Sequence, residues 1–459
     1  MIKKNITALC AIMLMLSFIN IGICNTKGNS DKYSIKLNLK EGVRSGNLKK
    51  GDYIKLYKAQ WGNDIVFDSI KIKNNVYFKG NTALEEGEYT IKNESGINLL
   101  EFMISSKKNI NESFKLIYNN KNKRTPEPDR IIHKKGNKEN NFFISLQNIA
   151  AQNFNNNASL DKLKKDIISI CTIASKECEG TLLDYMCKYS FMQNDSKNDS
   201  IEEFISNFPL NDTRIINTRF CKIAIDNLLN KIELNSNNTI MQYIEKIISR
   251  SSEELKPYLI ANLFYYFQEP KIMGQENIAI DLAKKYFNNG AIKWPYTDSY
   301  LPKAFTYMNE NSLIGMQAPE LNLEDTLGRK VSLRSLDKEY TIIYFYSDDC
   351  ITCKVETPKL IEFLNSYFGS QINVYAVYTG DNKNIWKNYI KKNLNIDNSY
   401  INWINVYDPT LDSNFPLLYG VVTTPKIYLI NKEKYIIGRR LNTNSLRELL
   451  YIENYNKRK

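Results

Sequence analysis

The sequence predicts a multidomain protein with an N-terminal antiparallel β-sandwich or barrel, a central all-α domain and a C-terminal α/β domain. Three successive patterns along the 459 residues support this order. Short segments that alternate apolar and polar residues come first, apolar residues at helical spacing follow, and continuous apolar runs between amphipathic segments come last. Because 43% of the residues are hydrophobic, each region can bury a core.

The N-terminus has the pattern of a secretory signal peptide over residues 1–24. Lys3 and Lys4 precede an apolar stretch that is too short for a comfortable membrane span. We expect cleavage after Cys24, with lipid attachment at Cys24 or an uncleaved anchor as the alternatives. Export predicts a protein of the periplasm or cell envelope, attached to the membrane if Cys24 carries a lipid, in an oxidising compartment.

An accessory β domain is predicted over residues 30–119. Gly-, Asn- and Asp-rich breaks separate short alternating segments, as in a small antiparallel sandwich or barrel. The segments are 33–39, 53–59, 88–93 and 113–119.

A charged linker with two prolines is predicted over residues 120–138. His133, the one histidine of the chain, falls in this linker, and we expect its side chain to be solvated. Without a second histidine, no Ser–His or Cys–His catalytic pair and no two-histidine metal motif can form elsewhere. The pattern requires neither a metal nor an organic cofactor.

A helical domain is predicted over residues 139–311, where apolar residues recur at helical spacing, for example over 160–174 and 239–249. The region contains four cysteines whose spacing is not that of a paired CxxC zinc site. We expect buried free thiols, with one structural disulfide as the alternative. These cysteines are Cys171, Cys178, Cys187 and Cys221.

Residues 312–459 carry the candidate chemistry. Residues 340–346 and 372–378 are continuous apolar runs, typical of strands buried on both faces of a sheet. Cys350 and Cys353 lie where the first run gives way to a helix. Residues i and i+3 of a first helical turn can form a disulfide, and a helix N-terminus favours a thiolate. CxxC also serves zinc sites, but no second CxxC or nearby histidine completes one, so the spacing favours a redox pair.

These motifs resemble those of secreted thioredoxin-like reductases of the TlpA/ResA type, in the AhpC/TSA superfamily. Residues 315–320 (GMQAPE) resemble the Gly-x-x-Ala-Pro motif of that group, and residues 327–333 (LGRKVSL) resemble its Gly-Lys-x-Val-Ser-Leu hairpin. Thr424 and Pro425 match the cis-proline loop opposite the dithiol. The regions before residue 312 loosely resemble accessory domains that precede such thioredoxins in Bacteroidota-type envelope proteins.

The resemblance implies a thioredoxin fold and a cell-envelope thiol-disulfide oxidoreductase that reduces or exchanges disulfides. Cys350 would attack the substrate disulfide, Cys353 would resolve the mixed disulfide, and Glu356 would take the proton from Cys353. Thr424 and Pro425 would hold an extended substrate strand. The implied partners are disulfide-containing exported proteins and a membrane thiol reductase as electron donor. Nucleic acid is not expected, because the lysines behind the net charge of +12 are scattered.

The sequence departs from the family pattern beside the dithiol. Thioredoxins usually have a tryptophan before the first cysteine, but here Asp348 and Asp349 precede Cys350. Their negative charges would oppose formation of a thiolate. Tyr344 stands where typical thioredoxins bury an aspartate, which leaves Glu356 as the candidate proton acceptor.

Two other functions stay open. A peroxiredoxin-like peroxidase would need a Pro-x-x-x-Thr-x-x-Cys loop, in which Ser347 can replace the threonine but Ile343 occupies the proline position. The other alternative is an envelope binding or scaffold protein with an accessory thioredoxin-like domain, since the regions before residue 312 lack a catalytic motif.

Overall fold

A computed structural model of the protein describes residues 32–105, 110–118, 127–155, 159–192 and 201–458. The predicted signal peptide, Cys24 and the first part of the predicted linker lie outside the described residues. The chain divides into two compact units. The first contains the described residues up to Tyr57 and those from Val66 to Ser159, and the second contains Lys58–Ile65 and the residues from Leu160 onward.

Two four-stranded sheets, of order β4-β1-β7-β8 and β3-β2-β5-β6, and two helices make up the first unit, except for the adjoining ends of β2 and β3, which fall in Lys58–Ile65 of the second unit. Their inward side chains share one apolar core, as alternation along the strands predicts. Strands β1 and β7 pair in parallel, which differs from the all-antiparallel prediction. The elements are β1 (Tyr33–Asn38), α1 (Lys40–Ser45), β2 (Tyr53–Gln60), β3 (Asn63–Lys71), β4 (Asn75–Gly80), β5 (Gly87–Asn93), β6 (Asn98–Ile104), β7 (Ile110–Ile117), β8 (Arg130–Lys135) and α2 (Glu139–Asn155).

His133 lies in strand β8, so the prediction of a solvated linker is wrong for this part of residues 120–138. Strand β8 pairs with β7, where His133 is opposite Phe114. The imidazole is 5% exposed, and its Nε2 lies 2.9 Å from Oε2 of Glu112. Its Nδ1 lies 2.8 Å from Oδ1 of Asn141. Pro128 precedes this edge strand, and the polar side chain of His133 finds its partners within the fold.

Helix α2 groups with the β-sheet unit, although the helical domain was expected to begin at residue 139. Hydrogen bonds between Asn140 of α2 and Met103 of β6 account for this grouping. The Asn140 amide accepts a hydrogen bond from the backbone N–H of Met103 at 2.7 Å and donates one to the Met103 carbonyl at 2.9 Å. One buried side chain thereby satisfies both backbone groups of a residue in β6.

From Leu160 the second unit contains the predicted helical region, in which apolar stripes are buried. Cys171, Cys178, Cys187 and Cys221 are all buried, and a hydrogen bond with Cys171, together with burial, raises the pKa of the Cys187 thiol. None of the described helices is long and apolar enough to span a membrane. The helices are α3 (Leu160–Glu177), α4 (Leu182–Met186), α5 (Ile201–Asn207), α6 (Phe220–Ile232), α7 (Asn237–Arg250), α8 (Lys256–Gln268), α9 (Glu276–Leu282) and α10 (Leu301–Asn309).

The second unit ends with a seven-stranded sheet of order β10-β9-β13-β12-β11-β14-β15. Strands β11, β12 and β13 are parallel neighbours, and the remaining pairs are antiparallel. The elements are β9 (Asn322–Asp325), β10 (Lys330–Ser332), β11 (Tyr340–Tyr346), α11 (Ile351–Asn365), β12 (Ile372–Tyr378), α12 (Lys383–Asn393), β13 (Ile401–Tyr407), α13 (Phe415–Leu418), β14 (Lys426–Asn431), β15 (Ile436–Leu441) and α14 (Thr443–Arg458).

Apolar cores lie on both faces of this sheet. Residues of α11, α12 and α14 pack in the core on one face, and Phe415 of α13 packs with the segment before β11 in the core on the other. Strands β11 and β12 are therefore buried along their whole length, which is the reason for their continuous apolar sequences. The predicted α/β domain is confirmed.

The sequence prediction missed strand β13. Its asparagines interrupt the apolar pattern, and only part of the strand is buried. In the sheet, Asn402 donates a hydrogen bond to Asn373 of β12 at 2.8 Å, so a polar pair lies between two neighbouring strands. Asn402 is compatible with a strand because the neighbouring strand β12 supplies its hydrogen-bond partner.

Candidate active site

The CxxC pair lies where strand β11 ends and helix α11 begins. Cys350 is the N-cap residue of α11, and its Sγ accepts a hydrogen bond from the backbone N–H of Cys353 at 3.0 Å. The N–H groups of a first helical turn have no partner within the helix, so this sulfur supplies one. Cys350 is partly exposed, whereas Cys353 is fully buried. A substrate disulfide can therefore reach Cys350 first.

The loop before strand β14 brings Thr424 to the dithiol. The peptide bond between Thr424 and Pro425 is cis. The Cys350 thiol donates a hydrogen bond to the Thr424 carbonyl at 2.9 Å. The sheet produces this contact, because β14 pairs with β11 and sets Lys426 opposite Phe345. The structure thus brings Cys350, Cys353, Thr424 and Pro425 together.

The two thiols lie in different environments. Burial, and then a hydrogen bond with Cys350, raise the pKa of Cys353 to about 12, although hydrogen bonds with Ser347 and Thr424 act in the opposite direction. Cys353 is therefore protonated at neutral pH. The accessible Cys350, at the positive end of the α11 dipole, is the candidate nucleophile.

Each of the two carboxylates before Cys350 has a hydroxyl donor. Asp348 accepts a hydrogen bond from Tyr378, and Asp349 accepts one from Ser347. Burial, and then the hydrogen bond with Asp348, raise the pKa of Tyr378. Its hydroxyl therefore stays protonated and is the donor of this hydrogen bond. Asp349 is exposed to solvent, which screens its charge from Cys350. Both effects weaken the repulsion that the sequence predicts.

Glu356 has partners other than the dithiol. Its carboxylate pairs with Lys359 at 2.8 Å and accepts a hydrogen bond from the Thr443 hydroxyl at 3.3 Å. The hydrogen bond with Lys359 lowers the pKa of Glu356. A carboxylate with a lowered pKa is a weaker base. The transfer of the Cys353 proton to Glu356 stays a prediction, and these contacts do not favour it.

A chain of hydroxyl groups, which sequence reasoning missed, lies beside Cys353. Tyr344 packs in the same buried cluster as Cys353, and its hydroxyl lies 2.6 Å from Oγ1 of Thr357. The Tyr389 hydroxyl donates to the same Oγ1 at 3.5 Å. Tyr389 also lines a cleft of about 790 Å³ that Asp348 borders. Tyr344 at the usual aspartate position was a partial signal, but only the fold places Tyr389 there.

Lys426 is a second group without a role in the sequence analysis. It follows Pro425 directly, and its Nζ donates a hydrogen bond to the Gly420 carbonyl. Burial, and then the charges of Arg440 and Arg439, lower the pKa of Lys426 to about 7. An amine beside the cis-proline loop thus changes its charge near neutral pH.

Exposed apolar side chains lie close in sequence to Cys350 and to Thr424. Ile351 is 80% exposed and Val422, two residues before Thr424, is 68% exposed. Val355 lies four residues after Ile351 on the same helix face and is also exposed. We refer to Ile351, Val355 and Val422 as the apolar rim. Such a surface beside a reactive group is suited to the side chains of a protein substrate.

A CxxC pair at the start of a helix, next to a cis-proline on a mixed central sheet, defines a thioredoxin-like oxidoreductase. The AhpC/TSA family model matches residues 314–439, and the C-terminal domain of the chain belongs to this family. The family match and the geometry of the site carry this assignment.

Several solved structures are similar to parts of the chain. A thioredoxin-like protein from Bacteroides caccae is 21% identical with a TM-score of 0.44, over 55% of this chain and 91% of that one. A domain of a possible thiol-disulfide isomerase from Cytophaga hutchinsonii is 32% identical with a TM-score of 0.27, over 32% and 97%. The thioredoxin domain of a thiol-disulfide oxidoreductase from Bacteroides vulgatus is 25% identical with a TM-score of 0.26, over 30% and 97%. A search of curated proteins finds no significant match.

Proposed function

We propose that the protein is a cell-envelope oxidoreductase that reduces or exchanges disulfides of exported proteins through Cys350 and Cys353. The observation that carries the proposal is the position of the Cys350 sulfur. It caps helix α11 and lies 2.9 Å from the Thr424 carbonyl, beside the cis peptide bond to Pro425. The signal-peptide pattern of residues 1–24 supports the envelope location.

The proposed reaction is thiol-disulfide exchange. The Cys350 thiolate attacks one sulfur of the substrate disulfide, a mixed disulfide forms, and the other substrate sulfur leaves as a thiolate. Cys353 then loses its proton and attacks the Cys350 sulfur, which releases the second substrate thiol. The substrate gains two electrons and two protons, and Cys350 and Cys353 end as a disulfide.

The substrate would lie as an extended strand along the cis-proline loop. An extended peptide can pair with exposed backbone groups, as at a sheet edge. Thr424 and Pro425 supply the backbone beside Cys350, and the apolar rim supplies contacts for substrate side chains. We assign both residues to substrate binding on these grounds.

The cycle needs an electron donor when the protein acts as a reductant. A membrane thiol reductase would reduce the Cys350–Cys353 disulfide, and its own dithiol would be oxidised to a disulfide. Lipid attachment at Cys24 would hold the protein near such a partner.

Reduction of insulin by the dithiothreitol-reduced protein tests the proposal. We expect Cys350→Ser to abolish reduction, while Cys221→Ala, a buried cysteine of the helical region, leaves it unchanged. Cys353→Ser, expressed in the native envelope, should accumulate mixed disulfides with exported proteins.

Other results would support the alternatives. Unchanged function in Cys350→Ser would favour a binding or scaffold protein. Consumption of hydrogen peroxide that depends on Cys350 would favour a peroxidase, although Ile343 lies fully buried within β11 where a peroxidase loop has its proline.

A further inference from the structure

The second unit contains a cleft of about 580 Å³, apart from the dithiol. Aromatic and polar side chains line it together, as in many sites for small ligands. They include Trp61, Lys222, Asp226, Asn262, Tyr265 and Tyr296.

A tight turn places Trp61 at this cleft. Trp61 and Gly62 both have positive φ angles, of 48° and 77°. The Trp61 N–H donates to the Ile216 carbonyl at 2.6 Å, and the Gly62 N–H donates to the Thr218 carbonyl at 3.3 Å. A Cβ atom on Gly62 would lie 2.8 Å from Cδ of Lys222, so the turn approaches helix α6 closely. The wall of the cleft is therefore held by backbone contacts before any ligand binds.

The indole of Trp61 carries an unused hydrogen-bond donor. Trp61 is 1% exposed, and no group in the described part of the chain accepts a hydrogen bond from its Nε1. Buried donors are nearly always paired, because water is not available to replace the missing partner. A ligand oxygen in the cleft would supply the acceptor.

The carboxylates of the cleft are oriented by neighbours. Asp226 pairs with Lys222 and accepts a hydrogen bond from the Asn262 amide at 3.0 Å. Asp298 accepts hydrogen bonds from the Tyr265 hydroxyl and from Nε1 of Trp294, each at 2.8 Å. A carboxylate has about four acceptor positions, so each retains capacity for a hydroxyl donor.

Aromatic rings supply the remaining surface. The rings of Tyr265 and Tyr296 lie 6.0 Å apart, and Tyr265 is partly exposed. Such rings pack well against a flat apolar face. Burial raises the pKa of Tyr296 to about 12, so its hydroxyl keeps its proton at neutral pH.

We propose that this cleft binds a neutral saccharide. A sugar ring combines apolar C–H faces for the tyrosines with hydroxyl groups that donate to Asp226 and Asp298 and accept from Trp61. An anion would face two carboxylates, whereas a neutral polyhydroxylated ligand can donate to the remaining acceptor positions of Asp226 and Asp298. The site is separate from the proposed dithiol chemistry and would give the protein a second, binding function.

Calorimetric titration of the full chain with millimolar glucose, galactose, mannose, N-acetylglucosamine and their disaccharides tests the proposal. We expect at least one sugar to bind. Trp61→Phe should weaken that binding about three- to tenfold through loss of one hydrogen bond. Tyr265→Ala should weaken it about tenfold or more. The matched control is Tyr307→Ala, because Tyr307 is 58% exposed and is not part of the cleft lining.

Three results would overturn the proposal: no heat with any of these sugars, equal affinity in Tyr265→Ala and wild type, or binding of choline or phosphate in place of sugars. Thermal melts of each variant establish that it is folded, and Asn63→Ala, at an exposed position of the lining, provides a second variant if Trp61→Phe unfolds. Sugar binding should persist in Cys350→Ser, so this test and the test of the dithiol can fail independently.

Discussion

The Cys350 thiol donates a hydrogen bond to the Thr424 carbonyl at 2.9 Å, although 74 positions separate the two residues along the chain. The pairing of β14 with β11 accounts for the contact, since the two residues lie at the same end of adjacent strands. An accessible cysteine, a buried cysteine and a loop with exposed backbone are thereby gathered at one point of the molecule.

The two cysteines of this site should differ in reactivity. At pH 7 we expect iodoacetamide to modify Cys350 at least about tenfold faster than Cys353, because Cys353 is buried and its pKa is raised to about 12. Mass spectrometry of the reduced, folded protein measures both rates, with the buried Cys171 as an internal control. Equal labelling of Cys350 and Cys353 would contradict the assigned order of attack.

Glu356→Gln should change insulin reduction by less than about threefold, since Lys359 and Thr443 already hold the carboxylate. The measurement is the pH dependence of the rate, with Glu362→Gln, an exposed residue of the same helix, as the control. A loss of about a hundredfold or more with an altered pH profile would instead establish Glu356 as the proton acceptor.

Thr357→Val should destabilise the protein by about 1–2 kcal/mol, because it leaves the buried Tyr344 hydroxyl without its partner. Urea unfolding gives the free energy. The double variant with Tyr344→Phe should cost less than the sum of the two single variants, since both remove the same hydrogen bond. Strictly additive losses would show that the two hydroxyls do not interact.

Lys426 should make stability depend on pH. In the native state its amine loses its proton near pH 7, whereas in the unfolded chain it keeps the proton until about pH 10.5. The unfolded state therefore binds more protons between these values, and the free energy of unfolding rises with pH across this window. Lys426→Met should flatten the rise when wild type and variant are compared by urea unfolding. Parallel curves would contradict the lowered pKa.

The single histidine permits a direct titration. Burial alone would lower the pKa of His133, but hydrogen bonds with Glu112 and Asn141 outweigh it and raise the pKa above 6.5. The proton-linked stabilisation is then fully present below pH 6.5 and is lost as the pH rises through the native pKa. Since the chain has one imidazole, its NMR signals give this value, and Glu112→Gln should lower it. A His133 pKa below 6.5 in the wild type would contradict the stabilisation of protonated His133 by Glu112 and Asn141.

Local spacing was sufficient to predict the parts of the site that are close in sequence. Cys350 and Cys353 are three residues apart, and the run of apolar residues before them indicated both the buried strand and the helix that follows. Hydroxyl groups from different elements could not be predicted in this way. Thr357 and Tyr389 meet because α11 and α12 pack in one core, and no periodicity within either helix records that contact.

The same limit explains the corrections. Strand β8 looked like a linker because its polar residues find their partners, Glu112 and Asn141, only in the folded unit. Strand β13 was missed because Asn402 is paired by Asn373 of a neighbouring strand. Isolated from these neighbours, both segments have the composition of exposed chain.

The sequence by itself determined the order of β, α and α/β regions and the position of the dithiol at a helix start, because these depend on periodicity and short spacing. It indicated the Thr424–Pro425 loop only through its resemblance to a known family. The tertiary structure decided which residues surround the dithiol, which thiol is accessible, how far burial lowers the pKa of Lys426 and that Trp61 and Tyr265 line the same cleft. Those properties depend on sheet order and on burial, which arise only when distant segments pack together.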